Sequence, residues 1–278
     1  MNYELVEIAR TGKHFSDFGP YVPAIANGHV AFYAAREGGR GMIVLAAPEG
    51  GARRPFGELV PSSHPDLIEE NGTFTLAVFV QGEQLWVKDG QGTLALVQTA
   101  PTGAELRAIG VAGPVIHQGG IVAFRADRWD GHDGIYTRSR GEPLREVCAS
   151  DSPFLGDRRR PGACTPSFEG MPVINSRGTV LFRANDADGG ALLAWSRRGG
   201  PPELLLPPTA DFAEISRFPC LDDEDRVYFS GRPRGGHPGI YCIHHGEIRA
   251  VSLGGLRFQS LRGVICSGTG VLVWYGAP

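Results

Sequence analysis

The stretch NSRGTVLF, Asn175 to Phe182, sets an Asn and a Gly three residues apart and then runs straight into Val-Leu-Phe. Asn, Gly, Asp and Ser supply the positive φ angles and local hydrogen bonds that a tight connection between strands needs. The apolar residues after them have the character of a half-buried strand. The stretch therefore reads as a structural hairpin rather than a site, and its recurrence decides the fold.

Aligned on this hairpin, the chain holds six copies: VPAIANGHVAFYA from Val22, HPDLIEENGTFTLAV from His64, GPVIHQGGIVAFRA from Gly113, MPVINSRGTVLFRA from Met171, FPCLDDEDRVYFSG from Phe218 and RGVICSGTGVLVWYG from Arg262. Pro23, Pro65, Pro114, Pro172, Pro219 and Gly263 anchor them at intervals of about 42 to 58 residues, the length of one four-stranded propeller blade. Third strands follow in GMIVLA, QLWVKD, GIYTRS, ALLAWS and GIYCIH, and fourth strands in LALVQT, LREVCA, ELLLPP and IRAVSL. In such an array the Val and Phe after each turn pack between blades. The sixth copy ends after its second strand, at VLVWYGAP, while YELVEIAR near the N-terminus has the character of the missing fourth strand. HFSDF, just after it, matches FAEIS and FQSLR ahead of later copies. These features specify an all-β, six-bladed β-propeller, one domain over residues 1–278. The N-terminal strand is expected to join the C-terminal blade and close the ring, hiding edges that an open array exposes.

Composition agrees. The 278 residues can bury a sizeable core, and 40 glycines with 21 prolines suit many short strands joined by turns. A net charge of −3 leaves no basic field for a nucleic-acid backbone. No stretch approaches the roughly 18 apolar residues of a membrane span. The N-terminus, MNYELVEIAR, is charged and lacks the apolar run of a signal peptide, so the expected location is cytoplasmic. The five cysteines are odd in number, dispersed and never spaced CxxC, which reads as single buried thiols instead of disulfides or zinc.

Asn175, Gly178 and Phe182, together with the Phe-rich element before a proline in HFSDFGPYVP, resemble the bacterial tandem-repeat β-propeller proteins named for the repeat Asn-x-x-Gly-x-x-x-Phe. The resemblance extends over nearly the whole chain, with His117, Glu69 and Asp222 standing for the Asn in other copies. It implies a kinship with secreted or anchored proteins of largely unassigned function, from which this N-terminus departs. It carries over no catalytic residue.

Function must come from what is not repeated. In a propeller, the loops entering each innermost strand surround one mouth of the central channel, and the loops between second and third strands share that face. The residues just ahead of the inner strands vary: Tyr21, His64, Ala112, Glu169 with Gly170, Arg217 and Arg262. Such variation points to one axial site in place of six equivalent ones. Glu169 or His64 would exchange a proton if the mouth shifts its pKa toward neutrality, with Tyr21 assisting as donor. Arg217 and Arg262 would hold a carboxylate or phosphate. The longest loop, CASDSPFLGDRRRPGACTPSFEG, includes Arg159 in a basic run and reads as a lid over an anionic ligand. Trp129 and His132, in ADRWDGHDG, are candidates for stacking on a ring-shaped ligand.

That loop and ANDADGG collect Asp beside Gly, yet neither has the full ligand set of a calcium loop. Calcium is therefore a minor alternative to a cofactor-free protein. There is no G-x-S-x-G elbow, no P-loop and no dinucleotide-binding glycine motif. The favoured function is a metal-independent acid–base enzyme, a lyase, isomerase or hydrolase, acting on a small polar or anionic molecule. A non-catalytic lectin-like or protein-interaction module is one alternative, and a metal-dependent lactonase-like hydrolase is a second.

Overall fold

In a computed structural model the described residues are 6–12, 15–18, 23–26, 29–35, 42–47, 54–57, 66–70, 73–81, 84–89, 92–99, 105–110, 113–117, 120–157, 159–197, 199–208, 210–253 and 257–277. They are all-β, with one short 3-10 turn at Pro153–Leu155 and no α-helix. No helix among them is long and apolar enough to cross a membrane.

Among these residues the strands form six antiparallel sheets in chain order. The first holds Ala24–Ala26, His29–Ala34, Met42–Ala46 and Arg54–Gly57, and the second Asp66–Glu70, Thr73–Gln81, Gln84–Asp89 and Gly92–Gln98. The fourth is a continuous meander of Ser167–Ile174, Val180–Asn185, Ala191–Ser196 and Pro202–Leu206. In the third, Ala108–Ile109 and Val115–Ile116 both pair with Val122–Asp127, followed by Asp133–Arg138 and Arg145–Ala149. The fifth repeats this with Phe212–Ile215 and Cys220–Leu221 on Val227–Pro233, followed by Gly239–His244 and Glu247–Ala250. The sixth has Ser260–Cys266 and Leu272–Ala277.

The broken first strands have a local cause. A proline stands at each break, Pro114 and Pro219, and has no N–H to give the ladder. The fourth sheet bridges the same place with a register shift between Glu169 and Val173, where Gly170 has φ +72° and Pro172 follows. The sixth shifts between Arg262 and Val264, around Gly263 at φ +54°. FAEIS supplies the near half of such a kinked first strand, with Ile215 paired to Gly231, and in HFSDF Asp17 bridges Ala35.

Alternation along the second strands builds the core. Val180, Phe182 and Ala184 face the third sheet, packing with Ala123, Ile135 and Cys148. Leu181 and Leu193 face the fifth, packing with Val227 and Phe229. Each such large side chain, at 3% exposure or less, contributes about 2 kcal/mol of transfer free energy. The first strands lie alongside one another in order, and that of the sixth sheet lies against that of the first. There Val273 packs on the cluster of Phe15, Val30, Phe32 and Val44, and Tyr275 stacks on Phe18 at 6.1 Å.

Two expectations change. Residues 6–10, the described part of the segment expected to complete the sixth sheet, form no strand, and Ile8 and Ala9 pack against the first sheet's core instead. Nor are all thiols buried, since Cys164 is exposed and Cys266 half-buried.

Candidate functional site

The kinks decide what faces the junction of the fourth and fifth sheets. Backbone pairing puts Gly110, Glu169, Ser216 and Arg262 at one position in successive sheets, each the last residue before the kink. Arg217 follows Ser216 inside the fifth sheet's kink. Its backbone presses so closely on Gly170 that a Cβ there would lie 1.6 Å from the Arg217 carbonyl oxygen. Two inner strands thus meet at Gly170 and carry Glu169 and Arg217 into contact.

Glu169 Oε2 accepts from Arg183 Nη1 at 2.5 Å and lies 3.1 Å from Arg217 Nε, while Oε1 accepts from Asn185 Nδ2 at 2.9 Å. Arg183 and Asn185 project from the second strand on the same face, Arg183 directly opposite Glu169 in register. The Arg183 side chain is only 10% exposed and Arg217 is 70% exposed, so one guanidinium is built in and the other meets solvent. Burial pushes the Glu169 carboxyl upward, but the Asn185 hydrogen bond and the two arginine charges outweigh it and the net shift is downward. This corrects the expected shift toward neutrality: Glu169 is a fixed carboxylate at neutral pH. Burial also lowers the Arg183 pKa, with Glu169 opposing, and a guanidinium stays charged in either case. The cluster of two arginines and one glutamate carries one net positive charge, facing outward through Arg217.

The same strand position in the third sheet holds Arg125, whose Nη2 meets Asp133 Oδ2 at 3.0 Å. That oxygen also accepts from the Phe168 backbone N–H at 3.3 Å. A polar seam therefore runs from the third sheet to Glu169's neighbour.

Trp129, His132 and Arg159 stand in loops away from this cluster. Trp129 and His132 share the turn between the second and third strands of the third sheet, with Trp129 53% exposed. Beside them, ligand atoms of Asp130, His132 and Asp151 lie within 4.8 Å of one another. Arg128 supplies a positive charge there, bonding Asp130 and standing 3.7 Å from Asp151 and 3.5 Å from Glu146. In ANDADGG, Asp186 Oδ1 accepts from the Asp188 and Gly190 N–H groups, a turn-building role. Arg159 is exposed, its N–H bonded to Asp157. The long loop is tied to ANDADGG through Arg160–Asp188, Cys164 N to Ala187 O at 2.7 Å and Ala187 N to Leu155 O at 2.8 Å. The Arg262 backbone sits opposite Tyr275. Tyr21 and His64 lie outside the described residues.

Sequence reasoning missed Arg183 and Asn185. The signal was an arginine followed two residues later by a polar side chain at the end of two apolar second strands, VAFRAD and VLFRAN.

The chain matches no protein-family model and no curated protein. It is similar to solved structures. One is a puromycin-hydrolyzing peptidase from Mycobacterium tuberculosis, at a TM-score of 0.53 and 13% identity, covering 96% of this chain and 52% of that one. Another is a puromycin hydrolase, at 0.53 and 14%, covering 94% and 44%. A third is TolB from Acinetobacter baumannii, at 0.51 and 13%, covering 83% and 54%. The chain spans about half the length of each. At these identities the likeness shows the fold alone, a β-propeller.

Proposed function

We propose that the six sheets are six blades of one ring, with the sixth lying against the first, and that the mouth holds a single site for a small polar or anionic molecule. The observation that carries this is the Glu169–Arg183–Arg217 cluster. Glu169 holds two guanidinium groups at one junction, and the exposed Arg217 presents net positive charge to a carboxylate or phosphate. Arg262, at Glu169's position in the sixth sheet, is proposed as a second contact, and Trp129, His132 and Arg159 as outlying ones. Tyr21 and His64 are proposed as the proton donor and base of metal-independent hydrolase, lyase or isomerase chemistry, with Glu169 positioning charge. The peptidase and hydrolase neighbours are compatible with a hydrolase.

A second reading, a binding module without chemistry, is favoured by the same carboxylate, because three donors leave it a weak proton acceptor.

Two assays separate them: thermal shift with phosphate, mono- and dicarboxylates and phosphorylated sugars, and turnover of chromogenic esters and lactones. A stabilising anion whose affinity falls by about 1.5–3 kcal/mol in Arg217→Ala, the range for a hydrogen bond to a charged partner, supports the site. Turnover that Glu169→Gln removes while binding survives supports the enzyme. Binding without turnover supports the module, and an Arg217→Ala variant that binds like the parent refutes the site.

A further inference from the structure

The junction of the fifth and sixth sheets carries a second piece of chemistry, independent of the proposed ligand site. Their first strands are tied by two backbone hydrogen bonds, Val264 N to Phe218 O at 3.3 Å and Asp223 N to Gly268 O at 3.0 Å. Between these ties Cys220 and Cys266 stand side by side on adjacent first strands, each two residues on from the Phe218–Val264 tie. Both belong to the apolar cluster that joins the two sheets, with Tyr228, Ile240 and Val264. Cys242 belongs to it too. In the fifth sheet, however, Cys220 pairs with Tyr228 and Tyr228 with Cys242, so two strand spacings put the Cys242 and Cys220 backbones about 10 Å apart, beyond the reach of a disulfide.

We propose that Cys220 and Cys266 are an oxidisable pair that closes into a disulfide stapling the fifth and sixth sheets. The oxidant class is a small-molecule disulfide, for which oxidised glutathione serves. Cys266 is half-buried and Cys220 only 1% exposed, so Cys266 reacts first. Its thiolate attacks one glutathione sulfur, the glutathione S–S bond breaks, and one glutathione thiolate leaves. Cys220 then gives up its proton and attacks the Cys266 sulfur, expelling the second glutathione. Two protein thiols and one oxidised glutathione become one protein disulfide and two reduced glutathiones. Burial raises the Cys220 pKa, consistent with its acting second. The staple closes a long loop and restrains the unfolded chain.

The test is incubation of the full chain with oxidised glutathione, followed by non-reducing peptide mapping, thiol counting in denaturant and a thermal melt. The expected result is a Cys220–Cys266 linked peptide, a fall from five free thiols by two, and a Tm raised by several degrees that dithiothreitol reverses. Cys242→Ser and Cys164→Ser should retain the link, and Cys266→Ser should lose it. A stable glutathione adduct on Cys266 with no linked peptide overturns the proposal, as does a link through Cys242 or a Tm that oxidation leaves unchanged. The peptide map of the unsubstituted chain decides even where a variant fails to fold.

Discussion

Asn175 shows how one side chain holds a turn and joins it to the next. Its Oδ1 accepts from the Arg177 and Thr179 N–H groups, and its Nδ2 donates to the Asp222 carbonyl and Asp225 Oδ1, both at 2.8 Å. Asp222 repeats the capping one sheet on, accepting from Glu224 N and Arg226 N, and Ser267 accepts from Val271 N. Asn175→Ala strands several buried groups, since Asn175 is 4% exposed. It should cost about 2–3 kcal/mol in urea unfolding, and a loss below half of that would show that the inter-sheet bonds do not matter. Glu169 gives a prediction in pH. Its folded pKa is below the ordinary 4.5, so its contribution is complete above about pH 4.5 and is lost as pH falls through the folded value. The stability gap between the parent and Glu169→Gln should stay flat from neutral pH to about 5 and shrink below 4.5. A gap already closing between pH 7 and 6 would contradict the ionised assignment.

The hairpin and the kinked first strand are the elements that carry the architecture, and they were not equally legible. All six hairpins follow from turn residues and alternation, because both are local; strands Met42–Ala46 and Ala191–Ser196 fall where GMIVLA and ALLAWS put them. HFSDF and FAEIS were visible as a recurring element, yet their pairing with the far end of the second strand is a contact across a break, which periodicity does not report. The site suffered likewise. Glu169 and Arg217 were named from their approach positions, whereas Arg183 and Asn185 depend on cross-strand register beyond a bulge, and the downward carboxyl shift depends on all three donors. Gly170 is where this element is most exposed to test. With φ +72° and the Arg217 carbonyl against it, Gly170→Ala should destabilise by about 2–3 kcal/mol and weaken anion binding with it. Unchanged anion affinity in the folded variant would separate the kink from the site.

At the scale of the molecule, the proposed ring rests on the contact between the sixth and first sheets. Tyr275 on Phe18 and Val273 in the first sheet's core are its visible ties. Tyr275→Ala should cost about 2 kcal/mol and lower hydrogen-exchange protection in the first and sixth sheets together. Faster exchange confined to the sixth sheet would argue for an open array. The central claim, one anionic site at the junction of the fourth and fifth sheets of a closed ring, is met most directly by a crystal structure of the protein soaked in phosphate. The account predicts the sixth sheet against the first, the Glu169 carboxylate between Arg183 and Arg217, and one phosphate on Arg217. An open array, Arg217 turned away from Glu169, or equal phosphate density at every junction would contradict it.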